Sequence, residues 1–462
     1  MSFQWTDREV REALGFPPKD SESGVAYTGI STDSRKVERG DLVLALSGDR
    51  FDGHDYVLDA LARGAAGAVV SREIGAGENQ PIYPVSDTLQ ALGSLAHHRR
   101  KSLKARVVGI TGSSGKTSTK ELLRETLQGS FRVHATQGNL NNRIGLPLTL
   151  LAAPADAEAL VLEMGTNEPG EVRALTEVAK PQIGVITTVS ETHLEKLGSL
   201  GGVIEEKLDL FRGLPGDGVA LVGDEPPILE ERAREVAPNL LVTGWSERVK
   251  PEHRPEDPKA TDQGCYGFRW RGEPVQLRTP GRHSVQNALL ALAVADVLGV
   301  GPADAARRIG RVEAGGMRSE IRTLGTLTLL VDCYNANPQS LRAALDLLVT
   351  IKRSGPRVAV LGSMLELGEG ARIHHRQALE EALTFPLDLI VATGLFAEAA
   401  HGLKAPAGAP ELVIAPELDQ ARDVLLQALG GTEVVLLKAS RGVAMEALVP
   451  SLEGRFGPGK AA

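Results

Sequence analysis

The sequence predicts an α/β protein of three units, with a phosphate-binding loop in the central one. Three observations carry this expectation. Strand and helix patterns alternate along almost the whole chain, as they do where helices cover mainly parallel sheets. The chain has 462 residues, and a domain usually takes about 150. The run Gly109-Ile110-Thr111-Gly112-Ser113-Ser114-Gly115-Lys116-Thr117 stands where a strand pattern ends and a helical one begins.

In chain order, the first unit (residues 1–104) shows strand patterns at 41–46 and 67–70 around a helical pattern at 56–63. A Gly-rich polar loop follows at 71–81. The second unit (105–314) opens on a buried-strand pattern at 106–110, the glycine-rich loop and a helix over 117–128. Further strands are expected at 159–164, 183–187 and 219–222, the rhythm of nucleotide-binding folds. The third unit (315–462) has strand patterns at 327–332, 357–361, 389–392 and 433–437, and helices at 338–352 and 419–429. Pro338 opens the first of these helices, where its missing N–H is harmless. The Gly/Pro-rich end, 454–462, reads as frayed.

Composition removes several alternatives. Hydrophobic residues are 42% and charged residues 24% of the chain, ordinary for a globular protein. There are 51 Lys and Arg against 59 Asp and Glu, a net charge of −8, so no nucleic-acid partner is expected. Cys265 and Cys333 cannot build a disulfide framework and have no zinc-ligand spacing. No apolar run reaches the roughly 18 residues of a membrane span; the best, 289–300, is interrupted by Asp296. The first ten residues carry Asp7, Arg8 and Glu9 and no apolar core, unlike a secretory signal. A reducing, cytoplasmic location is expected.

The glycine-rich loop carries the strongest chemistry. Its glycines allow tight turns and let backbone N–H groups approach phosphate oxygens, and the helix N-terminus adds a positive dipole end. Lys116 would reach the β- and γ-phosphates, and the Thr117 hydroxyl would ligate Mg²⁺. The pattern's first glycine is expected at Ile110; Gly109 stands one residue early. Glu163 closes the 159–164 strand pattern, where a carboxylate points into the ligand crevice and suits Mg²⁺. On their own, His193 and Lys207 stay open: a lone histidine packs or faces solvent readily, and Lys207 lies in the spacing of a solvated helix face.

Taken together, these runs resemble the Mur ligases, ATP-dependent amide-forming enzymes of peptidoglycan precursor synthesis, over nearly the whole chain. In the first unit, Thr32-Asp33-Ser34-Arg35, Gly40-Asp41 and Phe51-Asp52-Gly53-His54-Asp55 are similar to the family's uridine-nucleotide-binding domain. This implies contacts from Ser34 and Arg35 to a UDP-sugar. In the second, Thr111, Gly112, Ser113, Ser114, Gly115, Lys116 and Thr117 resemble the family's ATP loop, shifted glycine included. Gly138-Asn139-Leu140-Asn141-Asn142-Arg143 resembles its Asn-rich stretch, implying Asn139 and Asn142 as substrate contacts. Glu163 and His193 fall on metal-binding positions. Lys207 falls where the family carries a carbamylated lysine, an anionic group that would help hold a second Mg²⁺. Asn287, in Pro280-Gly281-Arg282-His283-Ser284-Val285-Gln286-Asn287, would contact adenine.

The third unit resembles the family's Rossmann-like C-terminal domain. Its run Asp332-Cys333-Tyr334-Asn335-Ala336-Asn337-Pro338 is similar to the branch that adds D-alanyl-D-alanine. By that resemblance Asp332 and Arg318 would face ATP, Tyr334, Asn335 and Asn337 the substrates, and Lys438 and Ser440 a substrate carboxylate. The stretch 361–368 and His375 complete the pattern. Three departures stand out: Val331 and Ser363 where the branch commonly has Asp, and Gly223-Asp224-Glu225 in place of an Asn-containing stretch.

The resemblance implies a ligase that joins D-Ala-D-Ala to UDP-N-acetylmuramoyl tripeptide through an acyl phosphate. It would use ATP and two Mg²⁺, act as a monomer, and depend on Lys116, Glu163, His193 and Lys207. Closure of the third unit onto the second is the expected gate. The rivals are another Mur ligase step or folylpolyglutamate synthetase, a GTPase, and a non-catalytic binding protein. The first unit and the Tyr334-Asn335-Ala336-Asn337-Pro338 run count against the nearest two. No guanine-reading Asn-Lys-x-Asp run supports the third.

Overall fold

A computed structural model describes residues 4–18, 24–48, 51–75, 80–352 and 355–457. Parts of two sequence expectations, 76–79 in the polar loop and 458–462 at the C-terminal end, lie outside the described residues.

In the first unit, the two-residue strand Trp5–Thr6, paired antiparallel with Ala26–Tyr27, leads into helix α1 (Asp7–Ala13). Strands β1 (Gly29–Ser31), β2 (Asp41–Leu44), β3 (Gly67–Val70) and β4 (Ile82–Pro84) form a parallel sheet in chain order. Helix α2 (Val57–Ala62) connects β2 to β3, and α3 (Thr88–Ser102) leaves the sheet. Every residue of β2 and β3 is buried, so these strands show apolar runs rather than alternation. Helix α3 starts where Asp87 accepts hydrogen bonds from the Leu89 and Gln90 N–H groups. Near its other end, Arg99 donates to the Ala153 carbonyl at 2.6 Å and Arg100 to the Ala179 carbonyl at 2.9 Å. Both guanidinium groups are buried against carbonyls at helix C-termini of the central unit, which fixes the first unit to it.

The central unit contains, in order, β5 (Arg106–Thr111), α4 (Lys116–Leu127), β6 (Val133–Ala135), α5 (Gly145–Leu151), β7 (Ala159–Glu163), α6 (Glu171–Ala179), β8 (Ile183–Ile186), α7 (Leu200–Arg212), β9 (Val219–Gly223) and β10 (Leu240–Thr243). Its six strands lie parallel in the order β10-β9-β8-β5-β7-β6. The order reverses beside β5, and the crevice at such a point is where open α/β sheets take their ligands. An antiparallel sheet of β11 (Glu256–Ala260), β12 (Cys265–Trp270) and β13 (Glu273–Pro280) follows. Helix α8 (Arg282–Val297) is then enclosed on all sides, with Ala288 through Ala295 at most 3% exposed. Its burial accounts for the apolar run at 289–300.

The third unit has strands β14 (Glu320–Leu324), β15 (Leu327–Asp332), β16 (Arg357–Leu361), β17 (Leu389–Ala392), β18 (Glu411–Ile414) and β19 (Val434–Lys438) in the order β14-β15-β19-β16-β17-β18. Only β14 is antiparallel to its neighbour. Helix α9 (Pro338–Thr350) opens on a capping box between Asn337 and Ser340.

The sheets are mainly parallel, as the alternation of strand and helix patterns implied; β11–β13 and β14 are antiparallel additions to them. Strand β11 is exposed throughout, so no apolar period marks it. One expectation needs correction: the C-terminal end is helical through Phe456 rather than frayed from 454, since Val449 and Leu452 anchor that helix in the core.

Candidate active site

Two glycines shape the phosphate loop. Gly112 has φ +148°, and a Cβ there would lie 1.9 Å from the Thr187 hydroxyl oxygen. Gly115, at φ +80°, begins α4 with its Cα face against Asn287, whose Oδ1 would meet a Cβ at 2.4 Å. The loop is therefore clamped between β8 and α8. Ser113 faces away from the crevice: its hydroxyl accepts from Ser190 N–H at 3.0 Å and donates to the Ser190 carbonyl at 3.2 Å. The Thr111 and Ser114 hydroxyls are buried with no hydrogen-bond partner among the described residues. Lys116 folds back, donating to the Gly112 carbonyl at 2.6 Å. Burial holds its pKa below the usual lysine value; the Glu163 carboxylate opposes this and Arg318 adds to it.

A chain of hydrogen bonds crosses the site. Arg318, from the third unit, donates to the Thr117 hydroxyl oxygen at 3.2 Å. Thr117 donates to Glu163 Oε1 at 3.1 Å, and Asn141 donates to the same oxygen at 2.8 Å. Glu163 Oε2 is buried and accepts no hydrogen bond among the described residues; the Lys120 ammonium lies 3.8 Å away. A hydroxyl and an ionisable carboxylate with an unused oxygen are donors that Mg²⁺ takes readily, with water and phosphate completing its shell.

His193 and Lys207 are differently engaged. His193 adopts φ +54° and places Nδ1 2.6 Å from Oε2 of Glu366 on the third unit. The Glu366 pKa is held below the usual value, first by this hydrogen bond. Lys207 is 1% exposed on α7, and its pKa is pushed down to about 7, by burial first and the Lys116 charge second. Among the described residues, no three His, Cys, Asp or Glu side chains form a ready-made metal cluster.

On the third unit, Asp332 accepts from Ser319 N–H at 3.2 Å and lies 3.1 Å from the Lys438 ammonium. Lys438 is 2% exposed and also donates to the Asn335 carbonyl at 2.6 Å. Its ammonium thus holds the Asn335 loop from beneath. Asn337 is likewise buried, its side chain committed to the α9 cap. Asn335 itself is exposed, and the Ser440 hydroxyl accepts from Leu365 N–H at 3.0 Å. Tyr334 lies under the Arg318 guanidinium, 3.6 Å from ring centre to Cζ.

Of these groups Thr117, Lys120, Arg318 and Tyr334 line a cavity of about 600 Å³, together with Asn139, His283 and Arg441 among others. Asn139 is exposed there, whereas Asn142 turns its Oδ1 onto the Ile144 and Gly145 N–H groups at the start of α5. Ser34 and Arg35 stand apart, on the first unit. Arg35 is paired with Asp33 at 2.9 Å, and the Ser34 carbonyl accepts from Arg63.

Sequence reasoning assigned no role to Asn141, Lys120 or Glu366. Asn141 lay in the quoted Asn-rich stretch and Glu366 in the 361–368 stretch, but their partners come from other elements. The departures also acquire reasons. Gly223 leaves room for the Gln286 amide, whose Nε2 a Cβ would meet at 2.6 Å. Ser363 accepts from Leu395 N–H at 2.9 Å, and Val331 is fully buried in the core.

Comparison with known proteins agrees with this geometry. Residues 26–100 match the catalytic domain of the Mur ligase family, 110–295 the Mur ligase middle domain, and 317–441 the Mur ligase glutamate ligase domain. The chain is 36% identical to the UDP-N-acetylmuramoyl-tripeptide--D-alanyl-D-alanine ligase of Bacillus subtilis, over 92% of this chain and 93% of that one. Among solved structures, MurF from Acinetobacter baumannii is 30% identical with a TM-score of 0.88, covering 98% of this chain and 99% of its own. MurF ligase from Thermotoga maritima, in complex with ADP, is 28% identical with a TM-score of 0.82, covering 93% and 97%. With three consecutive domain matches and a relative of this identity along nearly its full length, the chain belongs to the Mur ligase family.

Proposed function

We propose that this protein joins D-alanyl-D-alanine to UDP-N-acetylmuramoyl tripeptide at the expense of ATP, yielding the UDP-muramoyl pentapeptide of peptidoglycan synthesis. The observation that carries the reading is the hydrogen bond from Arg318, stacked on Tyr334, to Thr117 of the phosphate loop. It supports a role beside the nucleotide for the segment typical of the D-alanyl-D-alanine-adding branch.

In this reading residues 1–104 bind the UDP-sugar, with Ser34 and Arg35 among its contacts. Residues 105–314 bind ATP, with Asn287 near adenine, and residues 315–462 bind D-Ala-D-Ala. The tripeptide carboxylate attacks the γ-phosphorus, ADP leaves, and an acyl phosphate remains. The amine of D-Ala-D-Ala then attacks the acyl carbon, phosphate departs, and the nitrogen loses a proton. Lys116 exchanges the Gly112 carbonyl for phosphate oxygens, and Arg318 brings a second positive charge to the same group. Asn139 faces the cavity to meet the peptide, while Asn142, Asn337 and Lys438 shape the loops around it. Ser440 and Asn335 take the dipeptide carboxylate.

Thr117 and Glu163 fit one Mg²⁺, and His193 with carbamylated Lys207 a second; these ions would offset the charge of the meeting anions. A lysine whose pKa lies about 7 is substantially neutral at physiological pH, as reaction with CO₂ requires. The protein acts as a cytoplasmic monomer, where ATP and UDP-linked precursors are available. None of its described helices is long and apolar enough to cross a membrane.

The test is phosphate release from ATP and Mg²⁺ with the UDP-muramoyl tripeptide, with and without D-Ala-D-Ala, and mass detection of product. Release that needs both substrates, with pentapeptide formed, supports the reading. Coupling of a different amino acid keeps the family and moves the branch. ATP binding without release for any acceptor returns a non-catalytic binding protein.

A further inference from the structure

Arg318 is held in an unusual way. Gly316, Met317 and Ser319 all have positive φ, at +62°, +59° and +51°. Two of these are non-glycine residues flanking Arg318, a conformation that persists only where surrounding contacts over-determine it. Those contacts come from the end of β15. Tyr334 N–H donates to the Met317 carbonyl at 3.2 Å, and Ser319 N–H donates to Asp332 at 3.2 Å. The turn carrying Arg318 is thereby bridged on both sides, and the Tyr334 ring fills the space between, its centre 3.6 Å from Arg318 Cζ. From this seat the guanidinium reaches across to Thr117. Without the ring, an arginine side chain has many rotamers of similar energy.

We propose that Tyr334 is a positioning residue for Arg318: its aromatic face, rather than its hydroxyl, aims the guanidinium at the nucleotide's phosphate end across the gap between units. The proposal rests on the ligase reading above and reassigns Tyr334 from a direct substrate contact. It also links the two substrates. The Tyr334-Asn335 loop is tied through the Asn335 carbonyl to Lys438, so a dipeptide settling on Asn335 and Ser440 loads the same loop that seats Arg318.

The experiment compares Tyr334→Leu, Tyr334→Phe, Arg318→Ala and the Arg318→Ala/Tyr334→Leu double variant. Steady-state kinetics are run with each substrate varied, and affinity for a non-hydrolysable ATP analogue is read by calorimetry. The expected result for Tyr334→Leu is a kcat lower by roughly tenfold and weaker analogue binding, with the KM for D-Ala-D-Ala within about twofold of the parent. Tyr334→Phe recovers most of that loss, and the double variant loses no more than Arg318→Ala alone. A raised D-Ala-D-Ala KM at unchanged kcat in Tyr334→Leu, no recovery in Tyr334→Phe, or additive losses in the double variant would each overturn the proposal. Circular dichroism and thermal unfolding of each variant separate these outcomes from misfolding. If the parent itself forms no pentapeptide, the ligase reading fails, and the calorimetric comparison still tests the Arg318 seat.

Discussion

Lys438 and Asp332 form an ion pair of 3.1 Å between the C-terminal ends of neighbouring parallel strands, with side-chain exposures of 2% and 14%. The pair fixes the start of the Tyr334-Asn335 loop, because Lys438 also donates to the Asn335 carbonyl. Removing one partner strands the other charge in a dry setting. Lys438→Met is expected to lose about 3–5 kcal/mol of stability, measured by urea unfolding. An unfolding midpoint equal to the parent's would show that Asp332 finds water once the lysine is gone.

Gly115 offers a cleaner probe of the phosphate loop. Gly115→Ala meets two penalties: a left-handed backbone costing about 1–2 kcal/mol, and a Cβ 2.4 Å from Asn287 Oδ1. Gly170→Ala is a matched control, since its φ is +84° and its Cβ would meet nothing within 4 Å. ATP affinity, read by calorimetry, is expected to collapse in the first variant and to persist in the second. Equal affinities would mean that the loop tolerates the shift.

For Glu163, the unused Oε2 is the point of interest. Glu163→Gln keeps the shape and the acceptor for Thr117 and Asn141 but removes the charge. The expected result is a fall in kcat on the order of 100-fold or more, with the Mg²⁺ dependence of nucleotide binding shifted to higher concentration. Unaltered Mg²⁺ dependence would detach Glu163 from any metal role.

His375 gives the fold a pH dependence remote from the chemistry. It is fully buried, its Nε2 accepts from Met364 N–H at 2.8 Å, and its Nδ1 faces the Ala371 carbonyl at 2.6 Å. That pattern requires the neutral ring, and burial holds the pKa below the ordinary value of 6.5. The unfolded chain therefore binds more protons in that window, so stability falls as pH drops below about 6.5. His375→Gln is expected to flatten this part of the stability curve, measured by denaturant unfolding between pH 5 and about 7. A slope unchanged by the substitution would assign the acid sensitivity elsewhere.

Much of this architecture was legible in the chain. The strands β3, β15, β16 and β17 coincide with their apolar runs, because strands buried on both faces need continuous hydrophobic residues. The phosphate loop was equally plain, since Gly112 and Gly115 are required by conformation and by close approach within a few residues of sequence. Asn337 and Pro338 announced the start of α9 by local capping chemistry. The antiparallel strand β11 escaped because all its residues face solvent and its pairing rests on backbone hydrogen bonds alone.

The site divides along the same line. Residue types and spacing pointed to Lys116, Thr117 and Glu163, which stand at a strand end and a helix start. They could not say that Glu366 would meet His193, that Asn141 would share Glu163 with Thr117, or that Tyr334 would lie beneath Arg318. Nor could they show that Lys438 and Asn337 would be spent on holding loops. Local chemistry is written in neighbouring residues. Contacts between residues tens to hundreds of positions apart arise only when the sheets have stacked and the units have met, and burial then decides which charges remain free to act.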